Sequence, residues 1–366
     1  LIFGYKFQFQ KACTEKVKMD ITLLAKEITQ RSGIEVSPKD VERLLGALRK
    51  ARLPWDVVDL SDFPVPAVFE SIRLLEEKGL LTVSENGFRL TPEGRTLARE
   101  VHPLEDLSCP ACEGRGISLS RFSDIEKRFL RIQKGRPKPV RNFDQGYVTP
   151  KTTLFRFALA YERGDVVGKD IIILGDDDLM SIVLGLSGLP RKITVVEIDK
   201  RLTDFIQETA EKEGFQVRVE TFDLRHPLPK EHVKAYDTFF TDPPETLKAA
   251  DAFIGRGIAA LRSTGSAGYF GFTRREASLS KWYELQKMLL KYRIVFTDII
   301  HNFNEYANWG YEEETKAWRL SPVKVKPKRN WYRSALYRFE TLSGFKGNFK
   351  DYGDENIYED IESSTT

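Results

Sequence analysis

Lys169–Gly188 reads "KDIIILGDDDLMSIVLGLSG". An unbroken β-branched run, Ile171–Ile173, ends at Gly175, and apolar residues resume at Leu179. This is a buried strand turning into a helix, the unit from which parallel sheets are built. Ligands bind at such turns, and phosphate ligands favour glycines and a lysine there. Here the turn carries Asp176, Asp177 and Asp178 instead. Three carboxylates repel a pyrophosphate, so a ligand that is cationic at this end is expected.

Downstream, strands and helices alternate: "KITVVEID", "RLTDFIQETAEKEG", "QVRVETFD", "YDTFFTDPP", "ETLKAADAFIGRGIAALR", "SAGYFGFTR", "SLSKWYELQKMLLKY" and "RIVFTDIIHNFNEY". Crossovers of this length predict an α/β fold, a doubly wound parallel sheet covered by helices. Acidic residues close four successive strands: the Gly175–Asp178 turn, Glu197 and Asp199, Asp223, and Asp242 with Glu245 after Pro243-Pro244. A single acid at such a position is commonly a helix cap, but four in series point to a site. Asp199, with Glu197 on the same side at period two, is expected to accept hydrogen bonds from ribose hydroxyls. Asp223 is expected to meet an adenine amino group, with Leu224 and Gly175 offering close backbone. An adenosine-containing donor with a cationic remainder, such as a sulfonium, fits this set. A metal at the carboxylates is disfavoured because the glycine and lysine of a phosphate loop are absent.

The chain has 366 residues, 41% of them hydrophobic, with a net charge of +3, which predicts several domains and excludes a globally polybasic binder. Three cysteines and no secretory leader predict a reducing, cytoplasmic setting, and the apolar runs are too short to span a bilayer. Residues 1–19 lack an initial Met and read poorly as a helix start; Met19 is a candidate physiological start.

Residues 20–106 read as a winged-helix-like domain, with a helix at Pro66–Gly79 and the turn "SENG" between two short strands. The helix that would read DNA carries Glu70, Glu76 and Glu77 against Arg73 and Lys78, a poor complement to phosphate. A dimerisation or substrate-shaping role is expected, and no nucleic-acid binding. Residues 107–148 form a Cys-pair segment and connector. Cys109 and Cys112 have the spacing of half a zinc site, but Cys13 and His102 do not complete it, so a plain turn is favoured and no metal is assigned. Past the sheet, Tyr306 and Trp309 in "HNFNEYANWGY" are candidates for lining a channel, core packing being the alternative. Residues 346–366 form an acidic tail expected to be flexible, or to cover the basic "KVKPKRNWYR" segment or the cation site.

The segments "CPACEGR", "FDQGYVTP", "ILGDDDLMSIVLGLSGLP", "FDLRHPLP", "DTFFTDPPET", "GYFGFTRRE", "TDIIHNFNEYANWGYEEETKAWRL" and "KVKPKRNWYRS" together resemble the branched-chain polyamine synthases of thermophilic archaea and bacteria. The resemblance implies a class I methyltransferase-like domain over 149–345 behind the winged-helix-like domain. It implies aminopropyl transfer from decarboxylated S-adenosylmethionine, a co-substrate, to the secondary amine of spermidine, twice, with no further cofactor. It places the catalytic carboxylate on Asp177. Asp176, Asp178, Asp242, Glu245, Tyr306 and Trp309 are then expected to hold the polyamine, in a homodimer without membrane partners. Glu245 stands where amino-group methyltransferases with a D-P-P-Y motif have an aromatic residue, which disfavours a planar base as acceptor. A nucleic-acid amino-methyltransferase and an amine-sensing regulator are the alternatives.

Overall fold

The computed structural model describes residues 20–365. Met19 and Cys13 lie outside the described residues. The amino-terminal unit comprises α1 (Ile21–Ser32), α2 (Pro38–Lys50), α3 (Pro54–Ser61), α4 (Val65–Glu77), an antiparallel hairpin of β1 (Leu81–Ser84) and β2 (Gly87–Leu90), and α5 (Pro92–Arg99). Its boundaries follow from local chemistry. A Ser37–Asp40 capping box starts α2, Thr91 caps α5, and prolines occupy the first turns of α2 to α5.

The segment expected to be a plain connector contains α6 (Ser123–Ile132), which packs its buried Phe129 against the large domain. Next come α7 (Pro150–Glu162), β3 (Asp170–Leu174), α8 (Met180–Ser187), β4 (Lys192–Glu197), α9 (Lys200–Glu213), β5 (Arg218–Thr221) and β6 (Thr238–Thr241). They are followed by α10 (Leu247–Ala260), β7 (Ala267–Phe272), α11 (Leu279–Leu290), β8 (Ile294–Glu305), α12 (Lys316–Leu320) and β9 (Arg333–Thr341). The sheet order is β5-β4-β3-β6-β7-β9-β8. The first five strands are parallel, and β9 runs antiparallel between β7 and β8. The sheet is therefore mixed rather than wholly parallel, an arrangement related to the class I methyltransferase-like fold. Connections leave β3 toward β4 and return to β6 on its other side, so the switch point lies between the carboxyl ends of β3 and β6.

The amino-terminal unit shares its core with the wall of the large domain. Trp55 lies 4.8 Å from Trp331, ring centre to ring centre, and its Nε1 donates to the Val325 carbonyl at 2.6 Å. Buried ion pairs from the end of β7 reach back into this unit: Arg274 to Asp40 at 3.0 Å, and Arg275 to Asp59 and Asp62 at 2.8 and 3.0 Å.

The acidic tail is ordered up to Thr365, contrary to the expectation of flexibility. Tyr352 and Ile357 are buried, the Lys281 ammonium meets Asp360 at 2.8 Å, and the Ser364 and Thr365 amides donate to Glu276 at 2.6 Å. Charge composition suggested a solvated terminus, whereas donors elsewhere in the chain satisfy many of its carboxylates. Among the described residues no helix is long and apolar enough to cross a membrane.

Candidate active site

The turn after β3 gives its three aspartates three different surroundings. Gly175 and Leu179 both take left-handed backbone, φ 74° and 58°, and the chain reverses between them. Asp176 points down into α8, accepting from the Met180 amide at 2.6 Å and from the Ser181 amide and hydroxyl. Asp178 turns toward α7, accepting from the Val148 amide at 2.7 Å and pairing with Arg156 at 2.5 Å. Both carboxylates are buried and spent on the protein, so neither surrounds an amine as expected. Asp177 is half-buried and lines both cavities described below, and among the described residues its carboxylate accepts no hydrogen bond.

Asp242, at the end of β6, is fixed by a buried network. Its Oδ2 accepts from Arg156 at 2.8 Å and from the Tyr306 hydroxyl at 2.8 Å. Arg156 Nε donates to Asn304 at 2.8 Å, and Asn304 donates to Ser334, which also meets Tyr306. Although burial opposes its charge, Asp242 and Asp178 hold the Arg156 guanidinium above its usual range. The other oxygen of Asp242 lies over Gly271, 2.2 Å from where a Cβ would stand.

Two cavities meet at Asp177 and Asp242. One encloses about 440 Å³ and is lined by Asp144, Glu245, Pro243, Pro244 and the aromatic residues Tyr306, Trp309, Tyr311 and Tyr332, with Thr365 from the tail. Among the described residues the Asp144 carboxylate accepts no hydrogen bond, and Trp309 Nε1 is buried with no hydrogen-bond partner. Buried polar groups without partners in a cavity wall are suited to a polar ligand. The second cavity, about 540 Å³, is lined by Gly175, Glu197, Asp223 and Leu224 together with Ile198, Phe222, Phe253 and Tyr358. Apolar and aromatic side chains beside carboxylates, with Asp144, Asp177 and Asp242 shared with the first cavity, suit a nucleoside.

Electrostatics separate the carboxylates. Burial first, then Asp178, Glu197 and Asp242, hold Asp177 well above the ordinary carboxylate range. Burial and neighbouring acids, led by Glu276, do the same to Glu245 and Asp144. Burial pushes Asp176 up to about 8. In contrast, Arg225 and its amide hold Asp223 below the usual range against the cost of burial. The first cavity is thus a set of carboxylates waiting for positive charge.

The expected ribose acceptor changes. Asp199 faces Arg201 and Gln145, at 2.5 and 2.9 Å, caps α9, and does not line the second cavity. Glu197 does line it, and its oxygens accept the amides of Asp176 and Asp199 at 2.8 Å, which locks the turn to the end of β4. Cys109 and Cys112 sit in a turn of the connector, and among the described residues no cluster of three metal-ligating side chains forms. Sequence reasoning missed Asp144, Gln145, Arg156, Tyr311, Tyr332 and Glu276. For Arg156 the signal was a lone charge in the otherwise apolar "LFRFALA". For Asp144 it was an acid before Gly146 in "NFDQG", where the side chain sits on left-handed backbone, φ 52°.

A family profile described as the branched-chain polyamine synthase A C-terminal domain matches residues 124–365. A relative from Methanocaldococcus jannaschii named N(4)-bis(aminopropyl)spermidine synthase is 49% identical over 349 residues, 94% of this chain and 99% of its own. One of the same name from Thermococcus kodakarensis is 47% identical over 350 residues, with the same coverage. A crystal structure of the branched-chain polyamine synthase from Thermus thermophilus, in complex with N4-aminopropylspermidine and 5'-methylthioadenosine, superposes with a TM-score of 0.89 at 41% identity. It covers 94% of this chain and 98% of that one. Similarity of this extent, carried by both the sequence and the fold, places the chain in the branched-chain polyamine synthase family.

Proposed function

We propose that the protein transfers aminopropyl groups from decarboxylated S-adenosylmethionine to the N4 secondary amine of spermidine, twice. The products are N4-bis(aminopropyl)spermidine and 5'-methylthioadenosine. The observation that carries this reading is the unpaired Asp177 carboxylate at the junction of an apolar, nucleoside-shaped cavity and a carboxylate-lined one. The ligand pair named with the Thermus thermophilus structure matches these two chemistries.

In each transfer the nitrogen lone pair attacks the propyl carbon next to the sulfonium. The carbon–nitrogen bond forms as the carbon–sulfur bond breaks and the sulfur leaves as a neutral thioether. In the first transfer the proton on the secondary nitrogen passes to Asp177, whereas in the second the tertiary nitrogen has no proton to lose and becomes a quaternary ammonium. Holding the two centres in line supplies much of the rate. An elevated pKa makes Asp177 a stronger base than an ordinary carboxylate. Asp144 and Glu245 take the terminal ammonium groups, Trp309 and Tyr306 offer ring faces to them, and Asp242 stays fixed by Arg156 beside the reacting nitrogen. Glu197 accepts from the ribose, while Leu224 and Asp223 meet the adenine.

The amino-terminal unit is read as winged-helix-like. Its role here is to hold the aromatic wall of the amine cavity, since Trp55 packs on Trp331, which packs on Trp309. A cytoplasmic homodimer remains part of the proposal, and light scattering of the purified protein tests the dimer. The decisive experiment is incubation with the two co-substrates and mass identification of the products. The branched mono- and bis-adducts are expected; linear spermine as the main product overturns the reading.

A further inference from the structure

Six cations converge on one open groove of the amino-terminal unit: Arg49 and Lys50 at the end of α2, Arg52 just after it, Arg89 on β2, and Arg95 and Arg99 on α5. All six are exposed, and no carboxylate lines the groove. Among the described residues none of the six forms an ion pair, whereas Arg31, Arg43 and Arg73 of the same unit all do. Only Arg49 and Arg95 are engaged internally, each donating one hydrogen bond to a carbonyl, at 3.2 and 2.8 Å, which leaves most donors of both guanidinium groups available.

The groove is also rigid. The Phe88 amide donates to the Arg52 carbonyl at 2.8 Å, tying the hairpin to the end of α2. Gly87, at φ 100°, leaves room for that carbonyl, which lies 2.2 Å from where a Cβ would be. Six like charges held together repel one another, so a ligand bearing repeated negative charge relieves a cost already built in.

We propose that this groove binds the phosphodiester backbone of duplex nucleic acid without reading its sequence. A membrane surface is a poorer fit, because the apolar residues of the groove, Leu48, Ala51, Phe88 and Leu90, are buried and cannot insert. Base reading has no element to perform it. The helix expected to read bases, α4, is packed against α1 and α12, and its Glu70 and Glu77 are held by Arg31. The groove is formed by other elements, the end of α2, β2 and α5. The groove shares no residue with either cavity of the active site. Free polyamine competes for the same phosphates, so the complex loosens as polyamine accumulates.

The test is fluorescence anisotropy of the full chain with a random-sequence DNA duplex of roughly 30 base pairs, and an RNA duplex of equal length, across a salt series. The logarithm of the affinity is expected to fall with the logarithm of salt with a slope of about −5, at ~0.9 per neutralised phosphate for the six cations. Arg52→Glu/Arg89→Glu/Arg99→Glu should weaken binding by at least about tenfold and flatten the slope by about 3, with aminopropyl transfer unchanged. Lys212→Glu/Lys230→Glu/Lys291→Glu makes the same change in net charge at exposed sites elsewhere and should lose far less. If the first triple variant does not fold, Arg89→Gln/Arg99→Gln carries the same test with a flattening of about 2. No duplex binding by the unmodified protein, equal losses in both triples, or binding to anionic phosphatidylserine vesicles in place of duplex overturns the proposal.

Discussion

The two cavities that meet at Asp177 are built on opposite electrostatic plans. The carboxylates that line only the nucleoside-side cavity are already bonded: Glu197 accepts two backbone amides, and Asp223 accepts from Arg225 and its amide. On the amine side Glu245, together with Asp144 and Asp177 at the junction of the two cavities, is held at raised pKa, and among the described residues the Asp144 and Asp177 carboxylates accept nothing. The nucleoside-side cavity is a finished mould for a ligand of fixed shape. The amine cavity gathers carboxylates that hold protons until a flexible polycation displaces them, and shape matters less there than the count of positive groups.

The largest test of this difference is Asp177→Asn, which keeps shape but removes charge and basicity. Single-turnover rate should fall by about two to four orders of magnitude with donor affinity nearly unchanged. A near-normal rate would return Asp177 to a structural role. The counterpart is Glu197→Gln, which retains one good acceptor where two amides and a ribose compete. Donor affinity, measured by calorimetry with 5'-methylthioadenosine, should drop about tenfold to a hundredfold while spermidine binding holds. Equal weakening of both ligands would erase the division between the cavities.

A smaller effect is expected at Gly271, which touches no ligand and acts by letting Asp242 lie flat on β7. Gly271→Ala drives Asp242 away, so kcat/KM for spermidine should fall about tenfold with donor affinity unchanged. Loss of both affinities together would mark the change as general misfolding. The subtlest test concerns protons. Raised carboxylates bind protons in the empty cavity, and an arriving polycation lowers their pKa values. Spermidine binding near pH 7 should therefore release about one proton, visible as a calorimetric enthalpy that varies with the buffer, and should tighten as pH rises. The intrinsic stability runs the opposite way. These groups titrate higher folded than unfolded, where carboxylates sit near ~4. Their contribution is whole below that value and is lost as pH rises through the folded values. The thermal stabilisation given by spermidine should grow over that window, and a constant increment would contradict it.

Much of this was legible in the sequence because it is encoded locally. The period of the apolar runs gave the strand and helix series, Gly175 and the acids after it marked the switch point, and Pro243-Pro244 marked the wall of the amine cavity. What was not legible depends on pairs far apart in the chain. Arg156 meets Asp178 and Asp242 only once α7 lies across the switch point, and without that guanidinium in view all three aspartates looked equally available. Asp199 and Glu197 alternate along the chain as the sequence suggests, but Gln145 draws Asp199 away. The tail looked unstructured because its partners, Lys281, Ser278 and Glu276, lie about eighty residues upstream.

The aromatic wall has an optical consequence. Of the five tryptophans, Trp55, Trp309, Trp318 and Trp331 pack in one cluster, and Trp309 lines the amine cavity. None lines the nucleoside-shaped cavity. The intrinsic emission of the protein therefore comes mostly from one side of its active site. Filling the amine cavity should alter that emission, and filling the other should leave it nearly still, so each occupancy can be followed in an unlabelled protein.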